Sequence, residues 1–150
     1  MYKILFVCYG NICRSPMAEF IMKDIVKMHE DEANFVIESA ATSTEEIGND
    51  IYYRAKEVLK EHKIEMMPRQ ARQLTESDYD KYDYIIGMER NNIKDILRIV
   101  GKDEKNKVYR LLDFSPDTGD IPDPWYTRNF EITYDDISEG CEKFLDAIEK

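Results

Sequence analysis

Val7-Cys8-Tyr9-Gly10-Asn11-Ile12-Cys13-Arg14-Ser15-Pro16 is the stretch on which the reading of this sequence turns. Ahead of it, Tyr2 to Cys8 is an apolar, β-rich run, and behind it Met17, Phe20, Ile21, Ile25 and Met28 recur at helical spacing. Strand, loop and helix open the chain. Ser15 is a good N-cap and Pro16 falls where a first helical residue belongs, which predicts the helix start within a residue or two. The stretch therefore puts a cysteine at the carboxyl end of a strand and an arginine six positions later, at the mouth of a helix. Ligands of open α/β sheets collect there, and a helix start adds unpaired N–H groups and roughly half a positive charge. A phosphate dianion suits the place. Gly10 allows a tight turn close to the ligand, and the amides from Tyr9, Gly10, Asn11, Ile12 and Cys13 to Arg14 and Ser15 can form an anion-binding nest. Arg14 can clasp two oxygens in its planar fork. The same positive field favours a thiolate at Cys8, an activated sulfur directly beneath the phosphorus, and the Ser15 hydroxyl can donate to it.

Outward from this loop the pattern alternates. Phe35 to Ser39 reads as a second strand, and Asp50 as a cap for a helix carrying Ile51, Ala55, Val58, Leu59 and His62 on one face. A capped turn at Thr75 to Asp78 precedes a strand from Asp83 to Met88, and a helix with Ile93, Ile96, Leu97 and Val100 follows. Lys107 to Leu112 gives a last strand. Tyr134, Ile137, Cys141, Phe144, Leu145 and Ile148 then mark the clearest amphipathic helix. Strands alternating with helices predict an α/β fold, a mostly parallel sheet with helices on both faces, and the phosphate loop after the first strand. Between Leu112 and Thr133 lies a connection of about 20 residues holding Pro116, Pro122 and Pro124, long enough to be suspected of function.

Bulk properties narrow the choices. With 150 residues, no repeat and no linker, residues 1–150 are expected to form one domain. Hydrophobic content of 43% beside 35% charged residues is ordinary for a soluble protein, and no apolar run approaches a membrane span. The short run Ile4 to Val7 reads as a strand rather than a signal-peptide core. Three cysteines, two of them five positions apart, do not form a secreted disulfide framework, so reduced thiols and a cytoplasmic address are expected. A net charge of −10 argues against nucleic-acid binding. No His/Cys cluster has metal spacing and there is no Gly-rich lysine loop for nucleoside triphosphates, so no cofactor is expected.

Other residues admit more than one role. Cys13 reads either as a small buried residue or as a second reactive thiol, while Cys141 fits its helical stripe and belongs to a core. His62 on an apolar face reads as structural, and His29 as the end of the first helix. Breaking a phosphate ester calls for an acid to protonate the departing oxygen, and Asp113, Asp117, Asp120 and Asp123 on the late connection all qualify by position.

At this point the sequence closely resembles the low-molecular-weight protein tyrosine phosphatases over nearly its whole length. The matching segments are Cys8 to Glu19, Glu38 to Ser43, Glu46 to Gly48, Ala71 to Gln73, Tyr82 to Ile85 and Asp123 to Tyr126. The resemblance implies a flavodoxin-like single domain that hydrolyses phosphotyrosine in proteins and small aryl phosphates through a cysteinyl-phosphate. In that scheme Cys8 is the nucleophile, Arg14 binds phosphate, Ser15 assists the thiolate and Asn11 braces the loop. Asp123, before Pro124, is the general acid, and Trp125 and Tyr126 wall the pocket for a flat phenyl ring. It also implies that oxidised Cys8 is trapped as a reversible disulfide with Cys13. Phosphotyrosine proteins and oxyanions are the expected partners, and the protein is expected to be a monomer.

Three positions depart from the family pattern. Tyr9 follows the nucleophile where leucine or a smaller residue is usual, Arg69 replaces a histidine that many eukaryotic members carry, and Glu45 stands where an aromatic often walls the pocket. Glu45 with Glu46 predicts a rim that favours basic residues beside the phosphosite. Related folds compete. Arsenate reductases need two further redox cysteines near mid-chain, where residues 72 to 100 have none, and phosphoarginine phosphatases resemble this loop but carry threonine in place of Ile12. A noncatalytic phosphate-binding module would have no use for both Cys8 and Asp123.

Overall fold

The computed structural model describes residues 1–149. Four parallel strands make one sheet in the order β2-β1-β3-β4: β1 Tyr2–Cys8, β2 Phe35–Ala41, β3 Tyr84–Gly87 and β4 Val108–Arg110. The helices are α1 Arg14–Met28, α2 Tyr53–Glu61, α3 Asp78–Lys81, α4 Arg90–Val100, α5 Pro124–Thr127 and α6 Phe130–Ile148. Side chains of β1 alternate between two apolar layers, as the period of a strand requires. Ile4, Phe6 and Cys8 pack with Met17 and Ile21 of α1 and Cys141 and Phe144 of α6. Leu5 and Val7 face the other way, toward Tyr79, Tyr82, Ile96 and Val100. Both faces are covered, as the sequence predicts, and this is the doubly wound, flavodoxin-like arrangement. From β1 the chain runs first to β2 on one side and later to β3 on the other, so the loop after β1 sits where the strand order reverses.

Several local expectations are corrected. Helix α1 starts at Arg14 with Cys13 as its N-cap, and no side chain caps it; Ser15 lies inside the first turn. A capping side chain would occupy the first-turn N–H groups, whereas here they remain free to face an anion. Asp50 does not cap α2, which begins after Tyr52; its carboxylate accepts from the Ile51 N–H at 2.7 Å and pairs with Lys56. His62 follows α2 and is exposed rather than set in an apolar face, its ring stacked on Tyr134 at 3.7 Å and bonded to Glu131 at 2.5 Å. The strand read over Lys107 to Leu112 stops at Arg110. Leu111–Phe114 coil into a 3₁₀ turn because Asp113 reaches back to the Arg110 N–H at 2.8 Å, and Leu111 is then buried against Gly140 of α6. The long late connection is broken by this turn and by α5.

Candidate active site

Residues 9–13 curl from the end of β1 into α1, and Cys8 closes the floor of the curl, 3% exposed. Its Sγ lies 3.0 Å from the Ser15 hydroxyl and accepts from the Asn11 N–H at 3.3 Å. With Cys8 ionised the Ser15 hydroxyl must be the donor of that pair, and two donors then converge on one sulfur and stabilise its negative charge. The tight turn falls on Asn11, whose φ is +59°, and not on Gly10, whose φ is not positive. Space does not demand a glycine there either, since a Cβ would stand 3.4 Å from the Glu46 side chain, an ordinary contact.

Asn11 holds this left-handed conformation because its polar atoms are fully employed. Its amide donates to Ser15 Oγ at 2.8 Å and to Ser39 Oγ at 3.0 Å. One nitrogen of Arg69 donates to the Asn11 carbonyl at 2.6 Å and to Oδ1 at 2.5 Å, and the Arg72 N–H adds a bond at 3.3 Å. Arg69 thus stands at the bracing network and brings a permanent cation to it. Burial draws Arg69 below its ordinary value, opposed by the charges of Glu19 and Asp50. Ser39 passes the network on to Glu19, donating at 2.6 Å, and Lys23 closes it at 2.7 Å.

Arg14 is 2% exposed, yet its fork opens into the pocket. Nη1 donates to Glu89 at 2.9 Å and to the Ile121 carbonyl at 2.9 Å, while Nη2 lies 3.4 Å from Asp123 Oδ2. Two long-range devices build this. Glu89 caps α4 reciprocally with Asn92, which fixes its carboxylate at the end of β3, and the Ile121 N–H donates to Met88 at 2.9 Å, tying the late connection to the same place. Asp123 then caps α5, accepting from the Trp125 N–H at 3.0 Å, with Pro124 fixing the first helical residue.

Of the four aspartates, only Asp123 reaches the pocket. Asp113 and Asp120 are both held by Arg110, at 3.0 and 3.1 Å, and Asp117 is exposed elsewhere on the loop. The pocket itself, about 170 Å³, has Cys8 and Arg14 at its base and Ile12, Cys13, Glu45 and Glu46 along one part of the wall. Tyr9, Trp125 and Tyr126 supply aromatic rims; Trp125 is steadied edge-on by Tyr52 at 4.9 Å, whereas Tyr126 is 83% exposed. The nearby Glu45 carboxylate, as a hydrogen-bond acceptor, raises the Tyr9 phenol above its ordinary value, so the ring stays neutral. Cys13 is buried, and burial, with the charge of Cys8 second, pushes its thiol up. An anion seated on these amides and the Arg14 fork would lie over the sulfur, with the Asp123 carboxylate 3.4 Å from that fork.

The model of the low molecular weight phosphotyrosine protein phosphatases matches residues 3–150. The chain belongs to that family. A relative, the low molecular weight protein-tyrosine-phosphatase YfkJ of Bacillus subtilis, is 40% identical over 152 residues, covering 100% of this chain and 97% of its own. The YfkJ crystal structure superimposes with a TM-score of 0.96 over 99% of this chain and 95% of its own. The chicken low molecular weight phosphotyrosine protein phosphatase is 40% identical, covering 95% and 93% of the two chains. A more distant structure, described as a Drosophila arginine phosphatase, is 28% identical with a TM-score of 0.89, covering 99% and 98%. Membership of a phosphatase family makes the chain an enzyme of the hydrolase class.

Sequence reasoning alone missed Glu89, Ser39 and Glu19 as parts of the site of this family member. Glu89 and Asn92 three residues on carry a readable capping pattern, but nothing local ties Glu89 to Arg14, 75 positions away. Among the described residues no three His, Cys, Asp or Glu side chains converge as a metal site, and no helix is long and apolar enough to cross a membrane.

Proposed function

We propose that this chain hydrolyses phosphotyrosine in proteins, and small aryl phosphates, through a phosphate ester on the Cys8 sulfur. The observation that carries the reading is the placement of Cys8 Sγ between the Ser15 hydroxyl and the Asn11 N–H at the base of a pocket that Asp123, beside Arg14, also lines. The loop amides and Arg14 bind the dianion and the charge that builds up on its equatorial oxygens. Sulfur attacks phosphorus, the tyrosine oxygen leaves, and the Asp123 carboxyl supplies the proton that the phenolate needs. Its carboxylate then draws a proton from water as that water attacks the phosphocysteine, and Cys8 is released. Ser15 holds the thiolate both as it attacks and as it leaves. Tyr9, Trp125, Tyr126 and Glu45 border the substrate ring, and Asn11 maintains the loop.

One domain over residues 1–150, supported by the single continuous sheet, completes the proposal together with a monomeric state and a cytoplasmic address. The testing experiment is a panel of phosphotyrosine, phosphoserine, phosphoarginine and arsenate, assayed with wild type and Cys8→Ser. Turnover of phosphotyrosine, lost in the variant, is the expected outcome. Faster turnover of phosphoarginine would transfer the reading to the arginine phosphatases, against the apolar Ile12 in the wall.

The two loop thiols add a redox expectation. Peroxide converts the Cys8 thiolate to a sulfenic acid, and the Cys13 thiol attacks that sulfur, expelling water and leaving a disulfide. Brief peroxide treatment should therefore inactivate the enzyme in a way that dithiothreitol reverses, and Cys13→Ser should make much of the loss permanent. Mass spectrometry of the oxidised loop peptide checks it: only overoxidised Cys8 in the wild type, with no linked pair, would remove Cys13 from this role.

A further inference from the structure

The catalytic pocket does not end at its rim. A groove of about 320 Å³, larger than the pocket, continues from it and shares Tyr9, Arg14, Asp123 and Tyr126 as lining. It runs along the first turns of α4, past Asn91 to Lys94 and Asp95. A pocket of about 170 Å³ holds a phosphate and a phenyl ring but not the polypeptide on either side of them. Given the phosphotyrosine reading, on which this inference rests, a substrate chain must therefore leave the pocket over a rim. The groove is continuous with that rim at Tyr9 and Tyr126.

Its charges are mostly committed. Glu89 and Asp123 face Arg14 at 2.9 and 3.4 Å, and Asp95 is paired with Arg98 at 2.7 Å. Asn92 is buried with its carbonyl accepting from the Met88 and Glu89 N–H groups. Lys94 is different: it is exposed and makes no ion pair with any described residue, so it is the groove's one uncommitted charge. On the pocket side the sign is opposite. Glu45 and Glu46 line that part of the wall, and neither has an ion-pair partner among the described residues.

We propose that the α4 groove seats the substrate segment adjoining the phosphotyrosine on one flank, and that Lys94 is a specificity residue that reads an acidic side chain there. The enzyme then distinguishes the two flanks, taking an acidic residue toward Lys94 and a basic one toward Glu45. Electrostatic matching of this kind acts on encounter and on specificity, and exposed pairs are individually weak.

The test uses phosphotyrosine peptides with Glu on one flank and Lys on the other, in both orders, beside an aryl phosphate. In wild type at low salt, kcat/KM should favour one order by about fivefold, the size of effect an exposed pair produces, and the difference should shrink in 0.5 M salt. Lys94→Gln should narrow the ratio, and Lys94→Glu should shift the preference toward the opposite order. An order ratio identical in wild type and Lys94→Glu overturns the assignment of Lys94 while leaving the phosphatase reading intact, provided the aryl phosphate is turned over. Failure of wild type to hydrolyse the aryl phosphate or either peptide overturns that reading and the inference with it.

Discussion

Cys8→Ser is expected to leave less than about 1% of wild-type turnover on phosphotyrosine while inorganic phosphate still binds. The substitution exchanges one atom and keeps the shape of the curl. The anion is held by the loop amides and by Arg14, whose fork is set by Glu89 and the Ile121 carbonyl rather than by the sulfur. Binding, followed by calorimetry with phosphate, should therefore survive. Chemistry should not, because the field that stabilises a thiolate is too weak to ionise a serine hydroxyl near neutral pH. A serine oxygen at this place can still accept from the Ser15 hydroxyl and the Asn11 N–H that meet Sγ, but it stays a protonated alcohol and is a far weaker nucleophile than a thiolate. Residual turnover clearly above about 1% would defeat the covalent route. Loss of phosphate binding together with turnover would instead mean that the curl collapses without its sulfur.

The part of the site that could be read in the sequence is the part built by neighbours in the chain. Tyr2 to Pro16 states its structure locally, with an apolar strand, a glycine and then a Ser-Pro helix start, and the observed β1 and α1 fall within two residues of it. Local rules also misassigned details there. Asn11 and not Gly10 takes the positive φ, because Ser15, Ser39 and Arg69 together hold its polar atoms, and two of those three lie far along the chain. Ser15 has the residue type of an N-cap, yet its hydroxyl turns to Cys8. Glu89 became visible only when the sheet placed the end of β3 beside the end of β1, an adjacency that hydrophobic period cannot supply. For the same reason the choice among four aspartates rested on resemblance: each is a loop carboxylate, and what separates them is that Arg110 holds two while the Ile121–Met88 bond carries Asp123 to Arg14.

Asp123→Asn is expected to slow hydrolysis of phosphotyrosine by about 10² to 10³ and that of a nitrophenyl phosphate much less, within about tenfold. The contrast follows from the leaving groups. A tyrosine phenol, with an ordinary pKa near 10, departs poorly as an anion and needs the proton, whereas a nitrophenolate needs little of it. Asparagine makes a clean probe because its Oδ1 can still accept from the Trp125 N–H and so keep the cap of α5, which fixes Trp125 and Tyr126 at the rim. What it cannot do is give up a proton at the required strength. Removing the carboxylate also takes away the group 3.4 Å from Arg14 that competes with phosphate for its fork, so phosphate should bind at least as well as in wild type. Asp120→Asn, at a carboxylate engaged by Arg110 and the Arg90 N–H, is the matched control and should leave the leaving-group dependence as it is. An equal loss on both substrates in Asp123→Asn would make Asp123 a positioning residue for Arg14 and α5. The pocket would then have to find its proton elsewhere, and among the late-connection carboxylates none other lies within it.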